Sequence, residues 1–424
     1  MPDLHLLSPR GFRAGGVHAG IKTTDTPDIG LLVADAPAAA VAAFTTNKVF
    51  AAPVKVGRIH AAGGRLRAVV LNSGNANACT GRQGERDAFR MCTLAAELVG
   101  CDAAHVLPSS TGIIGHPLPM EKVEAGIRDV AQYLGDSLEH ALLFGSAILT
   151  TDTKRKAAAA TVKIGRETVT LAGVCKGAGM IGPRMAVQVG AAAGGGAGGA
   201  AKAKGRSLKG RSATLLSYLT TDAKIAPAAL RKLFAPTVDA SFNAVTIDDH
   251  TSTNDTAVLL ASGASAAVAG DRDLAKFKAA LDEVCQSLAY QIAADGEGAT
   301  KVVVVRVRGA DTDADARAMA RAIANSPLVK CAMNGNDPNW GRIVSAAGLA
   351  GVPFDPDRAT LTLQGTAVFR NGQPLTYDAA AVSTRLAEPE VRVDLTCKQG
   401  KGDGTVWTCD LSKEYVSINA DYHT

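Results

Sequence analysis

A threonine hydroxyl is a poor nucleophile unless a base takes its proton, and a threonine at the head of a chain carries that base in its own α-amine. The amine has an unperturbed pKa of about 8, so much of it is free base at neutral pH. Within an uncut chain the same nitrogen is an amide and cannot serve. One stretch of the sequence offers such a residue. It reads GVCKGAGMIGPRMA over 173–186, passes through a Gly-, Ala- and Lys-rich insert, and resumes as SATLLSYLTTDAK from Ser212. Thr214, where the insert gives way to an apolar run, reads as a residue that becomes a chain N-terminus when the Ala213–Thr214 bond is cut. An isolated Ala–Thr pair is ordinarily structural, so this reading depends on what surrounds it.

Other stretches could serve such a nucleophile. In LPSSTGIIGHPLP (107–119), small hydroxyl residues meet a glycine at Thr111-Gly112. A turn there can aim a backbone N–H and a hydroxyl at one point, as an oxyanion hole requires; a plain loop is the other reading. NSGNANACTG (72–81) places three asparagines among small residues, which suits either backbone amides facing a ligand or a surface turn. AILTTDTKRK (147–156) ends in consecutive threonines and Asp152. In AADGEGATK (293–301), Asp295 and Glu297 stand between a helix and a strand, where a carboxylate could meet an ammonium or simply face solvent. Asp248, Asp249 and His250 are adjacent, and three consecutive side chains rarely converge on one ion. Lys176-Gly177-Ala178-Gly179 lacks the Gly-x-x-x-x-Gly-Lys-Ser/Thr order of a phosphate loop.

The elements that must position these residues are partly readable. Two β-type runs, 29–33 and 39–44, precede FTTNKVFAAPV (44–54), which reads as loop, as does GGVHAGIK (15–22). Residues 66–71 predict a strand, and Met91, Leu94, Ala95 and Leu98 fall on one face of a following helix. A helix over 120–134 turns Val123, Ile127 and Val130 inward, and 162–164 with 169–171 form a hairpin about Gly165-Arg166. Pro227 opens a helix running through Phe234. AVTI (244–247) is strand-like, Asp273 caps a helix whose inward face is Leu274, Phe277, Leu281, Val284 and Leu288, and VVVVRV is a buried strand. A helix follows near 314–324, CAMNGNDPNWGR (331–342) is turn-rich, and the last eighty or so residues read as hairpins, one turning at Asn371-Gly372. The tail EYVSINADYHT reads as packed against the body.

Composition narrows the class. At 424 residues the chain is long for one core, and two lobes are expected. Hydrophobic residues make up 47% but aromatics only 4%, so the core is built from Ala, Val, Leu and Ile. The net charge of +5 equals the five bases of the insert (Lys202, Lys204, Arg206, Lys209, Arg211), which leaves a neutral body and argues against nucleic acid. The eight cysteines are scattered without metal-ligand spacing, so reduced thiols and no metal are expected. No signal peptide or 18-residue apolar run appears, so a cytoplasmic protein without a membrane span is expected.

Taken together, GVCKGAGMIGPRMA and ATLLSYLTTDA resemble the KGxGMI…MATML…TTDA signature of the ornithine acetyltransferase family, the bifunctional-type glutamate N-acetyltransferases of arginine biosynthesis. NSGNANACTG, SSTGIIG, ILTTDT, TSTNDT, DGEGATK, NGNDPNWGR and YVSINADY resemble family stretches in the same order, so the likeness spans the chain. One departure stands out: in the family Met-Ala runs straight into the nucleophilic threonine, whereas here 187–212 intervenes after Met185-Ala186, and Arg184 replaces the usual asparagine.

The resemblance implies an α/β fold with an N-terminal-nucleophile-like, two-lobe architecture. It implies self-cleavage into an α chain (1–213, carrying the flexible insert 187–212) and a β chain (214–424), assembled as a heterotetramer of two α and two β chains. Thr214 matches the nucleophile, Ala213–Thr214 the scissile pair, and Thr111 and Gly112 the oxyanion pair. Thr150, Lys176, Thr214, Glu297, Asn419 and Thr424 match substrate-contacting positions. The implied reaction moves acetyl from N2-acetylornithine to glutamate through acetyl-Thr214 and needs no metal or bound cofactor, with acetyl-CoA as a further candidate donor. Charge suggests Lys176 for the substrate α-carboxylate and Glu297 for an ammonium. Two alternatives use the same residues: a sister acyltransferase or aminopeptidase with the same threonine, and an uncleaved inactive homologue.

Overall fold

Residues 4–188 and 214–421 are described by the computed structural model, and they fall into two units. The first takes in 4–188, 214–242 and 251–288; the second takes in 243–250 and 289–421. The units therefore cut across the expected division at 213/214. Of the insert, Val187 and Gln188 are described; residues 189–212, with Ala213, lie outside the described residues. The chain leaves and re-enters the same unit across this gap, so the insert is not a linker between the two.

The first unit holds nine strands: β1 (Phe12–Val17), β2 (Ile29–Thr45), β3 (Arg65–Asn75), β4 (Val106–Ile113), β5 (Lys156–Ile164), β6 (Glu167–Lys176), β7 (Met185–Val187), β8 (Leu216–Thr221) and β9 (Thr256–Ala261). They form one sheet ordered β4-β3-β2-β9-β8-β6-β5, with β1 and β7 also paired to β2. β3 with β4 and β8 with β9 run parallel, and the other pairs are antiparallel. Thus β8 and β9, which follow the gap, lie between β2 and β6, which precede it. Every residue of LSYLTT and TAVLLA is buried, the pattern of central strands covered on both faces.

The helices are α1 (Ala52–Ala61), α2 (Gly81–Val99), α3 (Met120–Gln132), α4 (Leu138–Ala147), α5 (Pro227–Asp239) and α6 (Asp271–Ala294), of which 289–294 belong to the second unit. α3 buries Val123, Ile127 and Val130 as its spacing predicts. α2 buries Met91, Leu94 and Ala95, but Leu98, expected inward, is exposed, because the helix ends one residue later in the left-handed Gly100. The runs 29–33 and 39–44 are halves of one 17-residue strand: Asp35-Ala36-Pro37 is exposed at a register shift against β3, which accommodates a proline within a strand. Residues read as loop at 52–54 begin α1, with Pro53 in its first turn, and Asp273 lies inside the first turn of α6 rather than capping it.

The second unit is a six-stranded sheet of β10 (Val302–Ala310), β11 (Thr360–Leu363), β12 (Thr366–Arg370), β13 (Gln373–Pro374), β14 (Glu390–Thr396) and β15 (Gly402–Cys409), ordered β13-β12-β11-β14-β10-β15. Its helices are α7 (Asp313–Asn325), α8 (Pro327–Asn334), α9 (Trp340–Gly348), α10 (Ala379–Leu386) and α11 (Lys413–Ala420). Val303, Val305 and Val307 of β10 pack with Met319 and Ile323 of α7. The turn at Asn371-Gly372 has both residues at positive φ (48° and 77°), as a tight hairpin requires. AVTI is not a strand: it follows a 3-10 turn at Phe242–Ala244 and keeps a single bridge, Val245 to Trp407. The tail forms α11, which has no fully buried residue but is docked as expected: Ser412 Oγ, at its N-cap, donates to the Gly298 carbonyl (2.6 Å), and a Cβ on Gly298 would lie 2.4 Å from Tyr415 N. Among the described residues, no helix is long and apolar enough to cross a membrane.

Candidate active site

Parallel pairing brings two sequence motifs together. β8 and β9 share a register in which Leu216 faces Thr256, so the residues entering the two strands, Thr214-Leu215 and Ser252–Asp255, lie side by side. Leu215 N–H donates to Asp255 Oδ1 (3.0 Å) and Thr256 N–H to the Leu215 carbonyl (3.0 Å), fixing the backbone at Thr214. Thr214 is 2% exposed, and its Oγ1 hydrogen-bonds with Ser252 Oγ. On the other side of β8, the antiparallel register sets Lys176, at the end of β6, opposite Leu216.

Asn254 links this point to the Thr111-Gly112 turn. Its Nδ2 donates to the carbonyls of Ala76 (2.7 Å) and Ser110 (2.8 Å), holding the ends of β3 and β4. Thr111 Oγ1 is buried and has no hydrogen-bond partner among the described residues. A buried hydroxyl without a partner costs about 1–3 kcal/mol, and such groups mark places where a ligand atom completes the bonding. Gly112 has φ +139°, and a Cβ there would sit 2.2 Å from Asn75 N, so only glycine fits. NSGNANACTG is no surface turn: Asn72, Ser73, Asn75 and Asn77 are all buried, and Asn72 Oδ1 accepts from Ser110 Oγ (2.6 Å).

A buried ionic cluster lies behind Lys176. Its Nζ donates to Thr150 Oγ1 (2.9 Å), while Asp152 accepts from Lys156 Nζ (2.6 Å) and Gly177 N–H (2.7 Å). Burial alone would raise the Asp152 pKa, but Lys156, Lys176 and these hydrogen bonds outweigh it and hold the carboxyl below the usual range. Lys22, read as part of an ordinary loop, joins the cluster. The Ala19, Ile21 and Lys22 amides wrap the buried Asp28 carboxylate (2.6, 2.7 and 3.0 Å), and Lys22 Nζ reaches the Leu149 carbonyl (3.0 Å). Burial pushes the Lys22 pKa down to about 8 against the pull of Asp28 and Asp152.

Between about pH 8 and the unfolded value of about 10.4, the folded protein therefore holds fewer protons at Lys22 than the unfolded chain does. Stability rises with pH across that window, and a penalty for the buried charge persists below it. Lys22→Met is expected to remove this rise, which urea midpoints of both proteins at about pH 7 and about pH 9.5 will read.

In the second unit, Glu297 is 9% exposed and accepts from Asn419 Nδ2 (3.1 Å), bringing two of the sequence-predicted residues together. Beside them, Tyr415 Oη donates to Asp248 (3.3 Å), and burial first, then Asp248 and Glu297, raises the Tyr415 pKa. Thr424 and Ala213 lie outside the described residues. Sequence reading missed Lys22, Ser252, Asn254 and Asp255. The last three stand in a run of polar side chains, TSTND, leading straight into a fully buried strand, which is the signal that could have flagged them. Among the described residues, no group of three or more His, Cys, Asp or Glu is placed to hold a metal ion.

The ArgJ family model matches residues 13–424. An arginine biosynthesis bifunctional protein ArgJ from Rhodopirellula baltica is 43% identical over 425 residues, covering 99% of this chain and 97% of that protein. The protein of the same name from Lactococcus lactis is 43% identical over 420 residues, covering 98% of each. The crystal structure of such a protein from Bacillus halodurans superposes with a TM-score of 0.47 at 37% identity, over 48% of this chain and 97% of that one.

Proposed function

Because the chain belongs to the ArgJ family of arginine biosynthesis, we propose that it is a glutamate N-acetyltransferase that moves acetyl from N2-acetylornithine to glutamate through Thr214. The observation that carries the reading is the Thr214 hydroxyl, buried at the head of β8 and tied through Ser252 and Asn254 to the turn holding Thr111 and Gly112.

Maturation begins when Thr214 Oγ1 attacks the Ala213 carbonyl carbon, shifting the acyl group from nitrogen to oxygen. The Ala213–Thr214 C–N bond breaks in that shift and exposes the Thr214 amine; water then cleaves the ester, releasing Ala213 as a carboxylate and returning the Thr214 hydroxyl. In turnover that amine takes the hydroxyl proton as Oγ1 attacks the acetyl carbonyl of N2-acetylornithine. Thr111 Oγ1 and the Gly112 amide receive the oxyanion, a contribution of about 10²–10³ in rate per donor. The C–N bond breaks, the proton passes to the departing ornithine amine, and acetyl-Thr214 remains. The glutamate amine then attacks the same carbonyl, and N-acetylglutamate leaves with Thr214 restored, in a ping-pong cycle. Lys176 is assigned to the substrate α-carboxylate and Glu297 to the ornithine ammonium, with Thr150, Asn419 and Thr424 as further substrate-contacting residues. No metal or bound cofactor enters, and acetyl-CoA would add a second acetyl donor at the same threonine. The α and β chains stay together as an α2β2 assembly in the cytoplasm.

The test supplies N2-acetylornithine without glutamate. Intact mass is expected to show one acetyl group on the fragment that begins at Thr214, discharged as N-acetylglutamate when glutamate is added. Product formation with no acetyl ever found on Thr214 would overturn the reading, and turnover of peptide amides in place of acetylornithine would point to an aminopeptidase.

A further inference from the structure

The Ser252 hydroxyl has no part in the cycle just given, yet it touches the reacting oxygen. Its side chain is buried at 2% exposure, and its carbonyl is fixed by Thr45 Oγ1 (2.7 Å). Ser252 Oγ accepts from the Asn254 amide (3.2 Å) and meets Thr214 Oγ1; these are its hydrogen-bond partners among the described residues. A hydroxyl has one proton to give and two lone pairs. With Asn254 filling one lone pair, the Ser252 proton is left for Thr214.

Before acylation, either hydroxyl of the pair can donate to the other. Once Thr214 is acetylated, its Oγ1 is an ester oxygen with no hydrogen and can only accept. The pair then has one polarity, with Ser252 donating. We propose that Ser252 is a catalytic residue whose hydrogen bond to Thr214 Oγ1 assists the departure of that oxygen, and so accelerates deacetylation more than acetylation. The proposal rests on Thr214 as the acetyl carrier.

When glutamate has added to acetyl-Thr214, the C–Oγ1 bond breaks and negative charge gathers on Oγ1. The proton that the Thr214 amine took from the glutamate nitrogen is delivered to Oγ1, and Ser252 keeps its own proton throughout. A donor placed in advance at the oxygen where charge develops stabilises that transition state. In the acetylation half, Oγ1 is the attacking atom, and a donor on it lowers its nucleophilicity as much as it helps. The same asymmetry holds in maturation, where Oγ1 attacks first and leaves second.

Ser252→Ala tests this by rapid-quench intact mass of the Thr214 fragment. Its discharge by glutamate is expected to slow by about 10-fold or more, the worth of a hydrogen bond to a charged oxygen. Its acetylation by N2-acetylornithine should change by less than about threefold, within ordinary context effects on a hydrogen bond. Acetyl-Thr214 then accumulates at steady state, and Ser252→Thr, which keeps the hydroxyl, restores discharge. Unchanged discharge, or equal slowing of both halves, overturns the proposal. If Ser252→Ala stays uncut, hydroxylamine decides: cleavage at 213/214 shows the trapped ester and supports the proposal, while resistance shows that the ester never formed and overturns it. A wild-type protein that never carries acetyl on Thr214 would instead sink the underlying reading.

Discussion

Thr214→Ala is expected to leave one chain of 43.3 kDa and to lower acetyl transfer by about 10⁴-fold or more. The substitution removes the hydroxyl and one methyl group, and the amides of Leu215 and Thr256 hold the backbone without them. Two functions vanish together because both need the same oxygen, first against the Ala213 carbonyl and then against acetyl. Thr214→Ser keeps an oxygen there and is expected to retain both cleavage and transfer, at reduced rates. Intact mass and initial rates check each variant. Cutting at 213/214 in Thr214→Ala would show that another group performs the attack, and two products in the wild type would show that residues 187–212 permit it.

Asp152→Ala is expected to destabilise the protein by about 3–5 kcal/mol, the cost of removing one partner from a buried ion pair. Asp152 and Lys156 are both essentially inaccessible (0% and 1%), and Lys176 also faces the carboxylate, so the substitution leaves positive charge in the interior. The carboxyl is held below its ordinary range. Its contribution is therefore present above the unfolded pKa of about 3.9 and disappears as pH falls through the folded value. Urea midpoints in the uncut Thr214→Ala background should show a wide gap at neutral pH that narrows in acid. A gap of the same size at all pH values would mean that the loss is one of packing and not of charge.

What was legible in the sequence follows from how local the cause is. The stripe Val123, Ile127, Val130 and the Asn371-Gly372 turn are set by neighbours in sequence, and both appear as read. α4 has apolar residues around much of its circumference and shows no stripe, so its LEHALLFGSA did not read as a helix. The halves of β2 looked like two strands because Pro37 interrupts the run, and only pairing with β3 carries the strand across. Thr214 stood out in the sequence through its setting, and Lys176 and Glu297 through their charge. Ser252 and Lys22 did not. Their roles come from contacts 38 residues away in the first case and 127 in the second, and nothing in TSTNDT or GGVHAGIK encodes those partners.

With the cut proposed at 213/214, the strand order would have a consequence for the lifetime of the cut protein. β8 and β9 sit between β2 and β6, so a cut at 213/214 leaves one sheet woven from two molecules. Folding of the precursor is a first-order event within one chain. After the cut, regaining the sheet becomes a second-order encounter between two partners, each of which presents unpaired strand edges while it waits. Such a cut would act as a ratchet: assembly would happen once, under covalent guidance, and a cut molecule that comes apart would compete with aggregation to re-form. Durability after maturation is then governed by the rate of opening rather than by an equilibrium, and the apparent melting temperature of the cut form should depend on heating rate, whereas that of the uncut form should not.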